Sequence, residues 1–92
     1  MNLLDELYQT LETRKSANPA SSYTARLLQS GEDEIVKKIG EEAIEVILAA
    51  KGQGDQRIVE EIADLTYHVL VLMVSKGIKL EAISGELNKR KK

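Results

Sequence analysis

The chain has no cysteine, which excludes a disulfide framework, a zinc–thiolate centre and thiol catalysis. Tryptophan and phenylalanine are also missing. The only aromatic residues are Tyr8, Tyr23 and Tyr67, which read as packing residues with a polar tip. Charge of one sign is not in excess: the formal net charge is −2, so neither nucleic acid nor an anionic membrane has an electrostatic reason to bind. The most apolar stretch, Leu65 to Val74, is interrupted by Thr66 and His68 and is too short to cross a bilayer. The start, Met1-Asn2-Leu3-Leu4-Asp5-Glu6, lacks the basic residues and apolar run of a signal peptide. There is no glycine-rich phosphate loop, so kinase or P-loop chemistry has no support. Strand alternation, repeats and low-complexity segments are absent as well. Together these absences predict a cytoplasmic protein that engages neither membrane nor nucleic acid.

What is present is helical periodicity. Leu3, Leu4, Leu7, Tyr8 and Leu11 predict an amphipathic helix over 2–14. A break follows around Pro19, the only proline. Ser22 is placed to cap a short helix through Leu28 that stops near Gly31. A long helix is expected from about Asp33 to Lys51, then a tight Gly52-Gln53-Gly54-Asp55 connector with Asp55 as N-cap. A second long helix covers about Gln56 to Lys76 and ends at Gly77, and a last one runs from about Leu80 to Lys91. The expected fold is all-α, one domain over residues 1–92, a four- to five-helix bundle. A core this small is thin, so a homodimer that completes the bundle is expected. The second long helix, apolar nearly all round, points the same way.

Against this background two acidic clusters stand out: Glu41, Glu42 and Glu45, then Glu61 and Asp64. At about 100° per residue the first three share an arc of roughly 100°, and the last two lie roughly 60° apart. Apolar residues flank both sets. The short connector makes the two long helices antiparallel neighbours, with the acids at similar heights. A single Glu-x-x-Glu on a helix is ordinarily a solvated face. Five carboxylates converging beside an apolar core instead call for a counterion, because unpaired charges there cost several kcal/mol each. All-oxygen ligation favours Mg²⁺, with Mn²⁺ as the alternative. Di-iron bundles place a histidine three residues after the glutamate, where this chain has Asp64. His68, one turn further, reads as a hydrogen-bonded core residue within reach of the Asp64 carboxylate. The Lys89-Arg90-Lys91-Lys92 tail reads as a solvated helix end. Mg²⁺ shares its sphere with substrate phosphates, so an acid-lined cleft with Lys38 nearby suits hydrolysis of a nucleoside polyphosphate.

Glu-Glu-x-x-Glu followed by Glu-x-x-Asp resembles the signature of the all-α NTP pyrophosphatase (MazG-like) superfamily. The segments Ser22-Tyr23-Thr24-Ala25-Arg26-Leu27-Leu28, Lys37-Lys38-Ile39-Gly40-Glu41-Glu42-Ala43 and Glu61-Ile62-Ala63-Asp64-Leu65-Thr66-Tyr67-His68 are similar to the phosphoribosyl-ATP pyrophosphatase family. The resemblance runs from roughly Leu4 to Leu87. It implies Mg²⁺-dependent hydrolysis of phosphoribosyl-ATP to phosphoribosyl-AMP and pyrophosphate, the second step of histidine biosynthesis, by a homodimer. It further implies that Glu42, Glu45, Glu61 and Asp64 bind metal and that Glu41 is a further ligand or the water-orienting base. On the same basis Lys38 neutralises phosphate, and Ser22, Tyr23 and Thr24 hold substrate. Arg26 stands where the family leads one to expect lysine, and no contact is assigned to it. Two alternatives share these residues: a housecleaning NTP/dNTP pyrophosphatase, and a non-catalytic metal-binding helical dimer.

Overall fold

A computed structural model describes residues 2–91; Met1 and Lys92, the outer limits of the expected domain and the end of the basic tail, lie outside the described residues. Five α-helices and one 3₁₀ turn follow one another: α1 (Leu3–Thr13), the turn Arg14–Ser16, α2 (Tyr23–Ser30), α3 (Glu32–Ala50), α4 (Asp55–Lys76) and α5 (Leu80–Arg90). No strand occurs among the described residues, so the chain is all-α as its periodicity predicts.

The helix ends follow local chemistry. Asn2 caps α1 by accepting the Asp5 amide at 2.9 Å, and Ser22 caps α2 by accepting the Ala25 amide at 3.1 Å. Asp55 is not the N-cap of α4. That position is held by Gly54 at φ 90°, a conformation that suits glycine, and Asp55 becomes the first helical residue. There its charge still favours the positive end of the helix dipole. Gly77, at φ 71°, closes α4 in the left-handed conformation with its amide on the Met73 and Val74 carbonyls.

The antiparallel hairpin of α3 and α4 is the frame; α1 packs on α4, and α2 on α3 with a smaller contact to α4. Its connector is short, so the free ends of the two long helices lie together at the end of the hairpin remote from the turn. The core sits there: Ile35 near the start of α3, Leu70, Val71, Met73 and Val74 near the end of α4, with Tyr8, Leu11 and Leu27 from the covering helices. Fully buried side chains such as Ile35 and Val71 each contribute about 1.5–3 kcal/mol from desolvation. The Tyr8 hydroxyl donates to the Ile78 carbonyl at 2.6 Å and ties α1 to the link before α5.

The half of the hairpin nearest the connector has no such cover. Ile44, Ile47 and Leu48 on α3 and Val59 and Ile62 on α4 are exposed, Ile47 and Val59 by 60% each. The expectation that α4 is buried on several sides therefore holds only for its C-terminal half within a single chain. The physical reason is length: α1 and α2, with 11 and 8 residues, are too short to cover helices of 19 and 22. α5 adds no buried residue. No helix among the described residues is long and apolar enough to cross a membrane.

Candidate active site

The acids meet where the covered half of the hairpin gives way to the bare half. Glu42 stands ten residues before Gly52 and Asp64 ten after Gly54, so an antiparallel pair sets them level. Glu42, Glu61 and Asp64 each bring a carboxylate oxygen to one place, all within 4.8 Å of one another. Glu61 lies deepest, only 6% exposed, while Glu42 is half-buried and Asp64 open. Burial pushes the Glu61 carboxyl above its ordinary value; the Arg57 guanidinium opposes this, and neighbouring Asp64 and Glu45 add to it.

Glu45 and Glu41 lie on the rim. Glu45 is exposed and outside the group of three, though near enough to act on both Glu61 and Arg57. It stands seven residues before Gly52, one turn nearer the connector than Glu42. Glu41 is exposed, lies outside the group of three, and pairs with Lys38 at 3.3 Å. That bond, with Tyr23 and Glu42 nearby, holds the Lys38 ammonium above its ordinary pKa and so keeps it charged. Lys38 also lines a groove of about 240 Å³ between α2 and α3, together with Tyr23, Arg26, Leu27, Ser30 and Glu34.

The three α2 hydroxyls are placed differently from one another. The Ser22 hydroxyl accepts its helix-capping amide. Thr24 is buried and its hydroxyl is bonded to that of Tyr67 on α4. The Tyr23 hydroxyl reaches Nε2 of His68 at 3.1 Å. The other ring nitrogen, Nδ1, lies 2.8 Å from the Asp64 main-chain carbonyl. A carbonyl only accepts, so Nδ1 carries the proton, and Nε2 accepts from Tyr23. His68 is thus a buried, hydrogen-bonded residue, and its bond runs to the backbone of Asp64 rather than to its carboxylate. Burial raises the Tyr23 phenol above its ordinary pKa, against the pull of Lys38, so the hydroxyl keeps its proton for His68.

Two features were not anticipated. Arg57 reaches Glu61 at 3.4 Å and also bonds Glu60; its i,i+4 spacing to Glu61 was the available signal. The Thr24–Tyr67 and Tyr23–His68 bonds join α2 to α4 across 43 and 45 residues, and no local pattern announces them.

The donor set suits a hard divalent cation. All three donors are carboxylates on rigid helices, and one is buried beside a single guanidinium. Opposed oxygens around Mg²⁺ lie about 4.2 Å apart, so side-chain adjustment alone would bring a spread of 4.8 Å into range. Asp64 is exposed, so the cluster is open to solvent on that side.

Comparison with known proteins adds a separate line of support. A family model described as phosphoribosyl-ATP pyrophosphohydrolase matches residues 4–91. A protein named phosphoribosyl-ATP pyrophosphatase from Trichlorobacter lovleyi is 52% identical over 97% of this chain and 82% of its own length. One of that name from Leptospira biflexa is 52% identical over 98% of both chains. Another from Clostridium botulinum is 49% identical over 98% of this chain and 82% of its own.

Proposed function

The chain belongs to the phosphoribosyl-ATP pyrophosphohydrolase family, and from that premise we propose how its residues carry out the reaction. It is a hydrolase that converts phosphoribosyl-ATP to phosphoribosyl-AMP and pyrophosphate, the second step of histidine biosynthesis. The observation that carries the site assignment is the meeting of Glu42, Glu61 and Asp64 from two helices within 4.8 Å.

In this reading Glu42, Glu61 and Asp64 hold Mg²⁺, with Mn²⁺ able to replace it, and Glu45 on the rim completes the ligand set. When bound, the ion draws charge from the triphosphate oxygens and makes the attacked phosphorus more electrophilic. Lys38 leaves its pair with Glu41 to neutralise phosphate charge. Glu41, so released, orients a water and accepts its proton as the water oxygen bonds to phosphorus. The bridging bond between the first and second phosphates breaks, and pyrophosphate departs. Tyr23, held by His68, lies beside the substrate on the groove side. Ser22 and Thr24 support it indirectly, one by capping α2 and the other by bonding α2 to Tyr67.

The same reading includes a homodimer acting in the cytoplasm. The bare apolar half of the hairpin, with Ile44, Ile47, Leu48, Val59 and Ile62 exposed, is the surface a second copy covers. Removing such side chains from water contributes about 25 cal/mol per Å².

The test is pyrophosphate release with Mg²⁺ on phosphoribosyl-ATP, ATP and a dNTP panel. Turnover confined to phosphoribosyl-ATP and lost with EDTA is expected. Turnover of the dNTPs alone would transfer the site to nucleotide housecleaning.

A further inference from the structure

The groove between α2 and α3 contains chemistry that triphosphate hydrolysis does not use. Arg57 and Arg90 both have carboxylate partners. Arg26 forms no ion pair among the described residues, yet it is held in place from two sides. Its Nη1 donates to the Pro19 carbonyl at 2.9 Å, and its guanidinium lies 5.9 Å from the centre of the Tyr23 ring. An oriented guanidinium with free N–H groups is suited to a phosphate, which it grips in two-point fashion. The opposite wall, on α3, carries Glu34, whose only pairing among the described residues is a loose 4.0 Å contact with Lys37. A carboxylate on such a wall, held only by a weak exposed pair on its own helix, is suited to sugar hydroxyls, since it accepts from adjacent O–H groups. Leu27 and the Tyr23 ring supply the apolar floor between these two groups. Lys38 belongs to both places: it lines the groove and pairs with Glu41 beside the acidic cluster.

We propose that this groove is the subsite for the second ribose phosphate of the substrate. Arg26 binds its 5′-phosphate, Glu34 accepts from its ribose hydroxyls, and Lys38 screens that phosphate from the triphosphate. Arg26 is then a specificity-determining residue. It does nothing for a nucleotide without the extra phosphoribosyl group. The assignment rests on phosphoribosyl-ATP as substrate and goes beyond it by naming the residues that tell it from ATP.

Two measurements test it. In steady-state kinetics, Arg26→Ala raises KM for phosphoribosyl-ATP by roughly 10- to 100-fold, as for a lost charged hydrogen bond. The kcat stays within about twofold, the mark of lost ground-state binding. Any turnover of ATP is unmoved, Arg26→Lys recovers part of the loss, and Glu34→Gln raises KM in the same selective way. An unchanged KM, or an equal loss on both nucleotides, would overturn the subsite. The second measurement is NMR titration with ribose 5-phosphate in the absence of metal. Shifts at Tyr23, Leu27 and Glu34 that vanish in folded Arg26→Ala support the subsite, even if the wild-type protein fails to hydrolyse phosphoribosyl-ATP and the reaction assignment falls. Absence of binding, or binding indifferent to Arg26, refutes the subsite while leaving that assignment standing.

Discussion

Tyr23 on α2 and His68 on α4, 45 residues apart in sequence, are joined by a hydrogen bond of 3.1 Å from the phenol to Nε2. The same imidazole is fixed at Nδ1 by the Asp64 carbonyl. One wall of the groove between α2 and α3 is thereby tied to the backbone of the helix that carries Glu61 and Asp64. Tyr23→Phe removes the donor and leaves a buried acceptor unpaired, at an expected cost of about 1–3 kcal/mol. Urea unfolding of the two proteins measures this; an unchanged midpoint would show that the bond contributes nothing.

Glu61 makes the metal-free protein sensitive to pH in an unusual direction. Its folded pKa is raised by burial, so the folded state holds this proton more tightly than the unfolded state. The stabilisation is complete below the ordinary carboxylate value and is lost as pH rises through the higher folded value. Glu60, lowered by its bonds to Arg57 and Gln56, acts oppositely: its contribution is present above the ordinary value and lost as pH falls through the lower folded one. Comparison with Glu61→Gln isolates the Glu61 part. In EDTA, the wild-type unfolding midpoint should lose ground to Glu61→Gln as pH rises across that window. Mg²⁺ should restore it. Parallel curves would contradict the assignment.

The bare half of the hairpin gives a third prediction. Ile47→Glu with Val59→Glu places charges at two positions that are 60% exposed in one chain, so folding of the single chain tolerates them. A dimer seam does not, since unpaired charges there cost several kcal/mol. Sedimentation should show a dimer for the wild-type protein and a monomer of lower stability for the variant. A wild-type monomer, or a variant that still dimerises, would remove the seam.

A fourth concerns the covered core. Ile35 is fully buried, and Ile35→Ala should cost about 2–5 kcal/mol without altering metal affinity in whatever fraction stays folded. Thermal unfolding alongside Mn²⁺ titration separates these two effects.

The helices were legible because their signals are local: apolar spacing on α1 and α3, serine before α2, glycine after α4. Residue types alone favour Asp55 as the cap of α4, because they do not reveal the positive φ that makes Gly54 the cap. That the acids would meet across the hairpin was legible from connector length, which sets Glu42 level with Asp64. That Glu45 would lie on the rim was not, because which acids of α3 face α4 depends on how α3 is rotated about its own axis. The Arg57–Glu61 pair is legible in its i,i+4 spacing. The α2–α4 bonds of Tyr23 and Thr24 were beyond local pattern, since they follow from where α2 settles on the hairpin.

Whether the three converging carboxylates carry the reaction is decided by pyrophosphate release from phosphoribosyl-ATP with Mg²⁺ by Glu42→Gln/Glu61→Gln, beside the wild-type protein, with folding checked by circular dichroism. The two glutamines keep size and hydrogen bonding while removing two of the three converging charges. The expected result is a folded protein without turnover and without measurable Mn²⁺ binding. A folded double variant that hydrolyses phosphoribosyl-ATP at the wild-type rate would contradict it.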